Sequence, residues 1–172
     1  SDVPTLIIAR HAKTEAPGSG KSDMDRALEL IGRKASAKLG EAVASAGLAP
    51  TLALVSPALR AQQTWKLMAA ALAPCETRTV DDIYETDIEG LIDVIREVGE
   101  ADTVILVGHE PTSSGAAAQL AGPGSERTAL QRVAQGLPTG TAAVIEFDIP
   151  WGEIEHRTGR MVAVLSGRDV GE

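Results

Sequence analysis

Aromatic residues are nearly missing: two Trp, one Tyr and one Phe make up 2% of 172 residues. That scarcity excludes the ring platforms on which single-stranded nucleic acid stacks. It also leaves the core to Ala, Leu, Val and Ile. The single cysteine, Cys75, excludes an internal disulfide framework and a cysteine zinc cluster. No apolar run reaches the length of a membrane span, and no basic-then-apolar leader opens the chain, so the cytoplasm is the expected compartment. Positive charge is also short, with 16 Lys and Arg against 24 Asp and Glu for a net charge of -8. Such a chain repels nucleic acid and anionic membranes overall, so any anion site must be a local concentration of Arg.

A chain with 44% hydrophobic and 23% charged residues is an ordinary globular composition. The length predicts one domain over residues 1–172, expected as a monomer or weak dimer. Residues 5–8 read as a buried strand, followed by a polar loop over 12–26 with Pro17, Gly18 and Gly20 as breakers. From Leu28 the apolar spacing turns helical through Ile31, Ala35, Leu39, Val43 and Ala46, with Gly47 as a C-terminal cap. Gly32 and Gly40 should each cost that helix about 1 kcal/mol relative to Ala, leaving tertiary packing to hold it.

Residues 51–55 form a second apolar strand, and Ser56-Pro57 then fits a helix start, Ser as N-cap and Pro at the first helical position. That helix should run to Ala73 before Pro74. A short extended piece over 77–80, a helical face at Leu91, Ile92, Ile95 and Val98, and a β-branched strand over 103–107 follow. Pro111 opens a further helix to Leu120, and residues 122–137 read as a loop with one helical turn. Two late strands, 141–147 and 161–165, are joined by a polar segment read as a hairpin or long turn, and residues 166–172 are expected to fray. Strands alternating with helices predict an α/β three-layer sandwich with a mostly parallel central sheet flanked by helices.

Three strand-like runs end in functional polar groups: Arg10-His11, Ser56-Pro57 with Arg60, and Gly108-His109. In a parallel sheet these ends share one edge, where open α/β sheets place their ligands. Arg is a fixed cation with a planar fork suited to phosphate, and a neutral imidazole nitrogen is nucleophilic. Arg60 would also stand in a helix first turn, whose unpaired N–H groups already favour an anion. Two Arg and two His can therefore converge at that edge.

The motifs Arg10-His11-Ala12, Ser56-Pro57-Ala58-Leu59-Arg60-Ala61-Gln62-Gln63-Thr64 and Val107-Gly108-His109 resemble the histidine phosphatase superfamily, with its phosphoglycerate-mutase-like fold. Lys13, Ser22-Asp23-Met24-Asp25-Arg26-Ala27-Leu28, Ile83-Tyr84-Glu85, Gly108-His109-Glu110-Pro111 and Pro138-Thr139-Gly140 are similar to its small SixA-like branch, the phosphohistidine phosphatases. The resemblance implies a hydrolase in which His11 is the nucleophile and is transiently phosphorylated. Arg10, His11, Arg60 and His109 then form the phosphate pocket, and no metal or other cofactor is required. Glu85 is the implied proton donor to the leaving group, with Glu110 as a second candidate. The implied substrate is a protein phosphohistidine. A small phosphomonoester at the same site and a non-catalytic phosphate-binding module are the alternatives. Ala12, Ala27 and Leu30-Ile31-Gly32 depart from the family's usual residues, and they touch the loop after His11 and the first helix rather than the four pocket residues.

Overall fold

The computed structural model describes residues 4–18 and 20–169. Six strands form one sheet: β1 (Thr5–Arg10), β2 (Leu52–Val55), β3 (Glu76–Thr79), β4 (Thr103–Gly108), β5 (Thr141–Phe147) and β6 (Gly159–Ser166). Their spatial order is β3-β2-β4-β1-β5-β6. The first four run parallel, while β5 is antiparallel to both β1 and β6. Five helices flank the sheet: α1 (Leu30–Ser45), α2 (Leu59–Ala69), α3 (Ile88–Arg96), α4 (Thr112–Leu120) and α5 (Arg127–Ala134). The expected α/β sandwich with a mostly parallel sheet is the observed one.

Alternation along the strands sorts the core into two layers. Ile7 and Ala9 of β1 face one way and pack with Leu39 and Val43 of α1 and Ala61, Trp65 and Met68 of α2. Leu6 and Ile8 face the other way, against Leu91, Ile92 and Ile95 of α3 and Ala117 and Leu120 of α4. Right-handed crossovers explain the division. The path from β1 to β2 and β3 moves one way across the sheet with α1 and α2 on one face. The path from β3 back to β4 reverses direction, so α3 must lie on the opposite face. The neighbours β1 and β4 therefore send their following chain to opposite faces, which opens a crevice between their carboxyl ends.

Several boundaries differ from expectation. Leu28 lies outside α1, in a bridge with Thr14 that closes the base of the preceding loop. Gly47 does terminate α1: its φ is +76° and the Leu48 N–H reaches back to the Val43 carbonyl. The helix α2 starts at Leu59 and ends at Ala69, with single turns carrying the chain on to Leu72. Ser56 is not its N-cap, because Ala58 holds that position and the Ser56 hydroxyl turns elsewhere. Residues 122–137 contain α5, two helical turns rather than one. Glu126 caps it by accepting from the Thr128 and Ala129 N–H groups, and Ala129 and Val133 supply a buried i,i+4 pair. Sequence periodicity misses it because two apolar contacts are too few to stand out. Ser166 ends β6 and Gly167 packs on α1, while the remainder of the expected fraying segment beyond Asp169 lies outside the described residues.

Gly32 and Gly40 prove to be points of close approach rather than weak spots. A Cβ on Gly32 would stand 2.1 Å from the Lys13 carbonyl oxygen, and one on Gly40 would stand 2.3 Å from that of Met68. Gly40→Ala, which stabilises an isolated helix by about 1 kcal/mol, is therefore expected to destabilise this protein by about 1–3 kcal/mol as α2 is pushed off α1. Urea unfolding of the variant measures the sign.

Candidate active site

β1 delivers His11 to the crevice with its backbone held on two sides. Its N–H donates to the Gly108 carbonyl at 3.1 Å, and its carbonyl accepts from the Gly140 N–H at 3.1 Å. The imidazole is only 8% exposed, and its Nδ1 lies 2.8 Å from the Ala12 carbonyl oxygen. A carbonyl can only accept, so Nδ1 carries the proton and Nε2 keeps its lone pair. Burial is the main cause that pushes the His11 pKa down to about 3; the bond to Ala12 opposes it, and His109, Arg60 and Arg10 add to it. The ring is therefore neutral at physiological pH. The loop after it is fixed by Thr64, whose Oγ1 accepts from the Ala12 N–H at 3.0 Å and donates to the Arg60 carbonyl at 2.8 Å.

Three cationic or donor groups surround this ring. The register pairs Arg10 with Gly108 and Val55 with Val107, so the ends of β1, β2 and β4 are level. The His11 and His109 ring centroids are 5.3 Å apart. Burial, then Arg60, pushes the His109 pKa down to about 4, so it too is neutral. Its Nε2 lies 2.8 Å from the Ser56 hydroxyl, which also accepts from the Ala58 N–H at 3.2 Å. That hydroxyl has a second lone pair and a hydrogen, so it pairs with either tautomer of His109, taking a proton from Nε2 or giving one to it. Arg10 donates from Nη1 to the Leu137 carbonyl at 3.0 Å. Arg60, 6% exposed, grips Asp23 with both terminal nitrogens, to its carbonyl at 2.8 Å and its carboxylate at 3.0 Å. Arg10 Nε, Arg60 Nε and His109 Nδ1 are all buried without a hydrogen-bond partner. Ser113 Oγ is buried unpaired as well. Leaving a buried polar group unpaired costs about 1–3 kcal/mol, and the two unpaired guanidinium Nε–H groups suit an acceptor-rich group such as a phosphoryl oxygen.

The structure thus brings together Arg10, His11, Arg60 and His109 as the sequence predicts. Glu85 is exposed next to Tyr84 and makes no hydrogen bond or ion pair among the described residues. Its neighbour Tyr84 faces the crevice instead, edge-on to His109 at 5.7 Å, and donates its hydroxyl to Asp23 at 2.6 Å. Tyr84 first, then Arg26 and Arg60, hold the Asp23 carboxyl well below the usual carboxylate range, so it is ionised. Glu110 is committed elsewhere. Its carboxylate accepts from Ser114 N–H and hydroxyl, each at 2.7 Å, and from the Leu137 N–H at 3.0 Å. Leu137 then presents its carbonyl to Arg10, so Glu110 acts on Arg10 through the backbone of one residue. Sequence reading missed Ser56, Asp23 and Tyr84 as site residues. The Ser22-Asp23 and Ile83-Tyr84 motifs carried the signal, without showing which side chain turns inward. Arg127 and Arg132 lie exposed on α5, and His156 pairs on the surface with Glu89. Among the described residues, no group of three His, Cys, Asp or Glu side chains is placed to hold a metal ion, and no helix is long and apolar enough to cross a membrane.

Residues 6–97 match the family model of the histidine phosphatase superfamily (branch 1). An uncharacterized protein of Mycobacterium tuberculosis is 31% identical over 155 residues, covering 89% of this chain and 96% of the relative. The SixA structure from Agrobacterium tumefaciens superimposes with a TM-score of 0.79 at 25% identity, covering 94% of this chain and 97% of that one. That from Nakamurella multipartitia gives 0.80 at 23%, covering 95% and 96%. The chain belongs to the histidine phosphatase superfamily, has the fold of its SixA branch, and is a phosphatase.

Two outcomes follow from this geometry. Both pocket histidines are neutral when folded but titrate near ~6.5 when unfolded, so the unfolded chain binds more protons between those values. Stability is expected to be full above pH ~6.5 and to fall as the pH drops toward the folded values, by up to ~1.4 kcal/mol per pH unit for each ring and less for the more exposed His109. Urea unfolding across that range, with His11→Asn for comparison, reads the loss and its partial removal. Glu110→Ala is expected to cost about 2 kcal/mol of stability and about tenfold in kcat/KM through displacement of Arg10, given hydrogen bonds to a charged group. The shape of the pH-rate profile should stay unchanged, whereas loss of a general acid would remove one limb.

Proposed function

We propose that this phosphatase hydrolyses protein phosphohistidine through a phosphorylated His11. The observation that carries the reading is a neutral, buried His11 with a free Nε2 lone pair, set among unpartnered nitrogens of Arg10, Arg60 and His109. His11 Nε2 attacks the phosphorus, and the bond from phosphorus to the substrate imidazole nitrogen breaks. Positive charge develops on the His11 ring, and the Nδ1–H bond to the Ala12 carbonyl stabilises it. Two guanidinium groups and the His109 ring, in the tautomer that carries its proton on Nδ1, match the three equatorial oxygens over which phosphoryl transfer spreads charge. Water then attacks the phosphorus, His11 leaves as a neutral ring, and inorganic phosphate is released.

The leaving group argues for phosphohistidine over an alkyl ester. An imidazole has a conjugate acid near ~6.5, so a substrate ring protonated at its other nitrogen leaves as neutral imidazole without help. An alkoxide needs a protonated acid. Asp23 is ionised, Glu110 is engaged by Ser114 and Leu137, and both pocket histidines are neutral. Glu85 is exposed to solvent, with no hydrogen bond among the described residues that holds its carboxyl toward the leaving group. A protein histidine phosphatase SixA of the same fold, at a TM-score of 0.75 and 20% identity over 95% of this chain and 97% of that one, is known in complex with tungstate, a phosphate-like oxyanion.

The test is phosphate release from a phosphohistidine-bearing domain beside a small phosphomonoester. Wild type is expected to prefer the phosphohistidine. His11→Ala should abolish turnover, and Arg60→Ala should lower kcat by about 10²–10³, the scale of one lost transition-state donor. Faster release from the ester would move the assignment to a metabolite phosphatase. Unchanged turnover in His11→Ala would remove His11 from the reaction, and no turnover by wild type would leave a phosphate-binding module.

A further inference from the structure

Next to Arg10, and sharing none of His11, Arg60 or His109, lies a cavity of about 350 Å³. Three cations line it, Arg10, Lys13 and Arg168, together with the apolar surface of Ile31, Ala35 and Pro138. No acidic side chain is among the described residues that line it, although acids outnumber bases across the whole chain. Like charges gathered against apolar walls focus a positive field on the space between them.

The cations are held in place by the structure that holds the pocket. The Arg168 guanidinium donates to the Thr139 hydroxyl at 2.9 Å and leans on the Thr139 carbonyl at 3.4 Å. Thr139 belongs to the turn whose Leu137 carbonyl takes Arg10 and whose Gly140 N–H takes the His11 carbonyl. One turn thus sets the spacing between Arg168, Arg10 and His11. Burial first, opposed by Glu110, and then the positive charge of Arg168 lower the Arg10 pKa, so the two guanidinium groups feel each other. Lys13 is exposed, and its pairing with Glu29 is a loose 3.8 Å surface contact that an incoming anion can replace. Ile31 remains 37% exposed at the cavity wall.

We propose that this cavity is a second anion subsite, taking a carboxylate or phosphate carried on the leaving-group side of the substrate while a short apolar spacer lies on Ile31 and Pro138. At ~30 Å³ per water-sized group, the volume accommodates such an anion with several methylene groups. In a protein substrate the anion is an acidic side chain beside the phosphohistidine; in a small ester it is a second acidic group of the same molecule. The inference rests on the reading of the His11 pocket as the site of phosphoryl transfer, and adds a requirement on the rest of the substrate.

Two matched probe pairs test it. One pair is phenyl phosphate and meta-carboxyphenyl phosphate; the other is a phosphohistidine peptide with Glu or Gln beside the phosphohistidine. Calorimetric binding to the His11→Ala protein reads the subsite without turnover, and phosphate release by wild type reads the catalytic assignment separately. The carboxylate-bearing member of at least one pair is expected to bind about tenfold tighter, the scale of one charge-assisted hydrogen bond. That preference should fall toward unity when Lys13→Gln or Arg168→Gln is added, and should weaken with salt. Preference in the peptide pair alone identifies an acidic protein segment as the source, and preference in the aryl pair alone identifies a small ester. Equal binding within both pairs, or a preference that survives both substitutions, overturns the subsite. Absence of turnover with the binding preference intact overturns the phosphohistidine reading and leaves the subsite standing.

Discussion

The hydrogen bond from His11 Nδ1 to the Ala12 carbonyl is the contact on which the rest of the site depends. It selects one tautomer of a ring that has no charge to hold it in place. It can form only because the backbone on either side is pinned, by Gly108 before the ring and by Gly140 and Thr64 after it. Those three anchors come from β4, the turn before β5 and α2. The β1–β4 pairing, the turn before β5 and the helical layer that holds α2 are thus needed to orient a single imidazole. The divergence of β1 and β4 to opposite faces supplies the space in which that ring meets His109.

The electrostatics of the crevice run against those of the chain. An acidic protein has to spend its few guanidinium groups locally to attract an anion. Here Asp23 moderates them: it takes both terminal nitrogens of Arg60 and is itself steadied by Arg26 and Tyr84. Arg60 is thereby oriented with its Nε left over, and its charge is partly compensated until an oxyanion arrives. Arg10 is oriented differently, by a neutral carbonyl of Leu137 that Glu110 fixes from behind. The two guanidinium groups therefore differ in how much positive charge they present, with Arg10 the less compensated. It is Arg10 that borders the neighbouring cationic cavity.

Small residues permit this density. With almost no aromatic rings, the layer between α1, α2 and the sheet is closed by bringing backbones together. Gly40 lies on the Met68 carbonyl, Gly32 on Lys13 and Gly167 on Ala35. The last of these brings the end of β6 against α1 and carries Arg168 toward the turn at Thr139. A cost in helix propensity at Gly32 and Gly40 thus positions the first loop and α2, while Gly167 places the C-terminal cation beside them.

Much of the fold was readable along the chain, because strand alternation, the β-branched run before Gly108, the helical spacing from Ile31 to Val43 and the Gly47 cap are local properties of consecutive residues. The pocket residues Arg10, His11, Arg60 and His109 were readable for a related reason: each follows or begins an element whose direction a parallel sheet dictates. What the sequence could not determine were contacts between distant positions. Ser56 looked like a helix cap until His109, more than fifty residues on, claimed its hydroxyl. Glu85 was the implied proton donor and Tyr84 had no role, until the turn at Asp81 set the Tyr84 ring against His109 and its hydroxyl on Asp23. Glu110 was a candidate acid until Leu137 and Ser114 occupied its oxygens, and α5 depended on two apolar contacts with a surface that exists only in the folded protein. Sequence specified the elements and the chemical groups at their ends, because backbone geometry and side-chain type are local. Tertiary structure alone decided tautomer, charge state and orientation, because each is set by hydrogen bonds and burial that partners far along the chain provide.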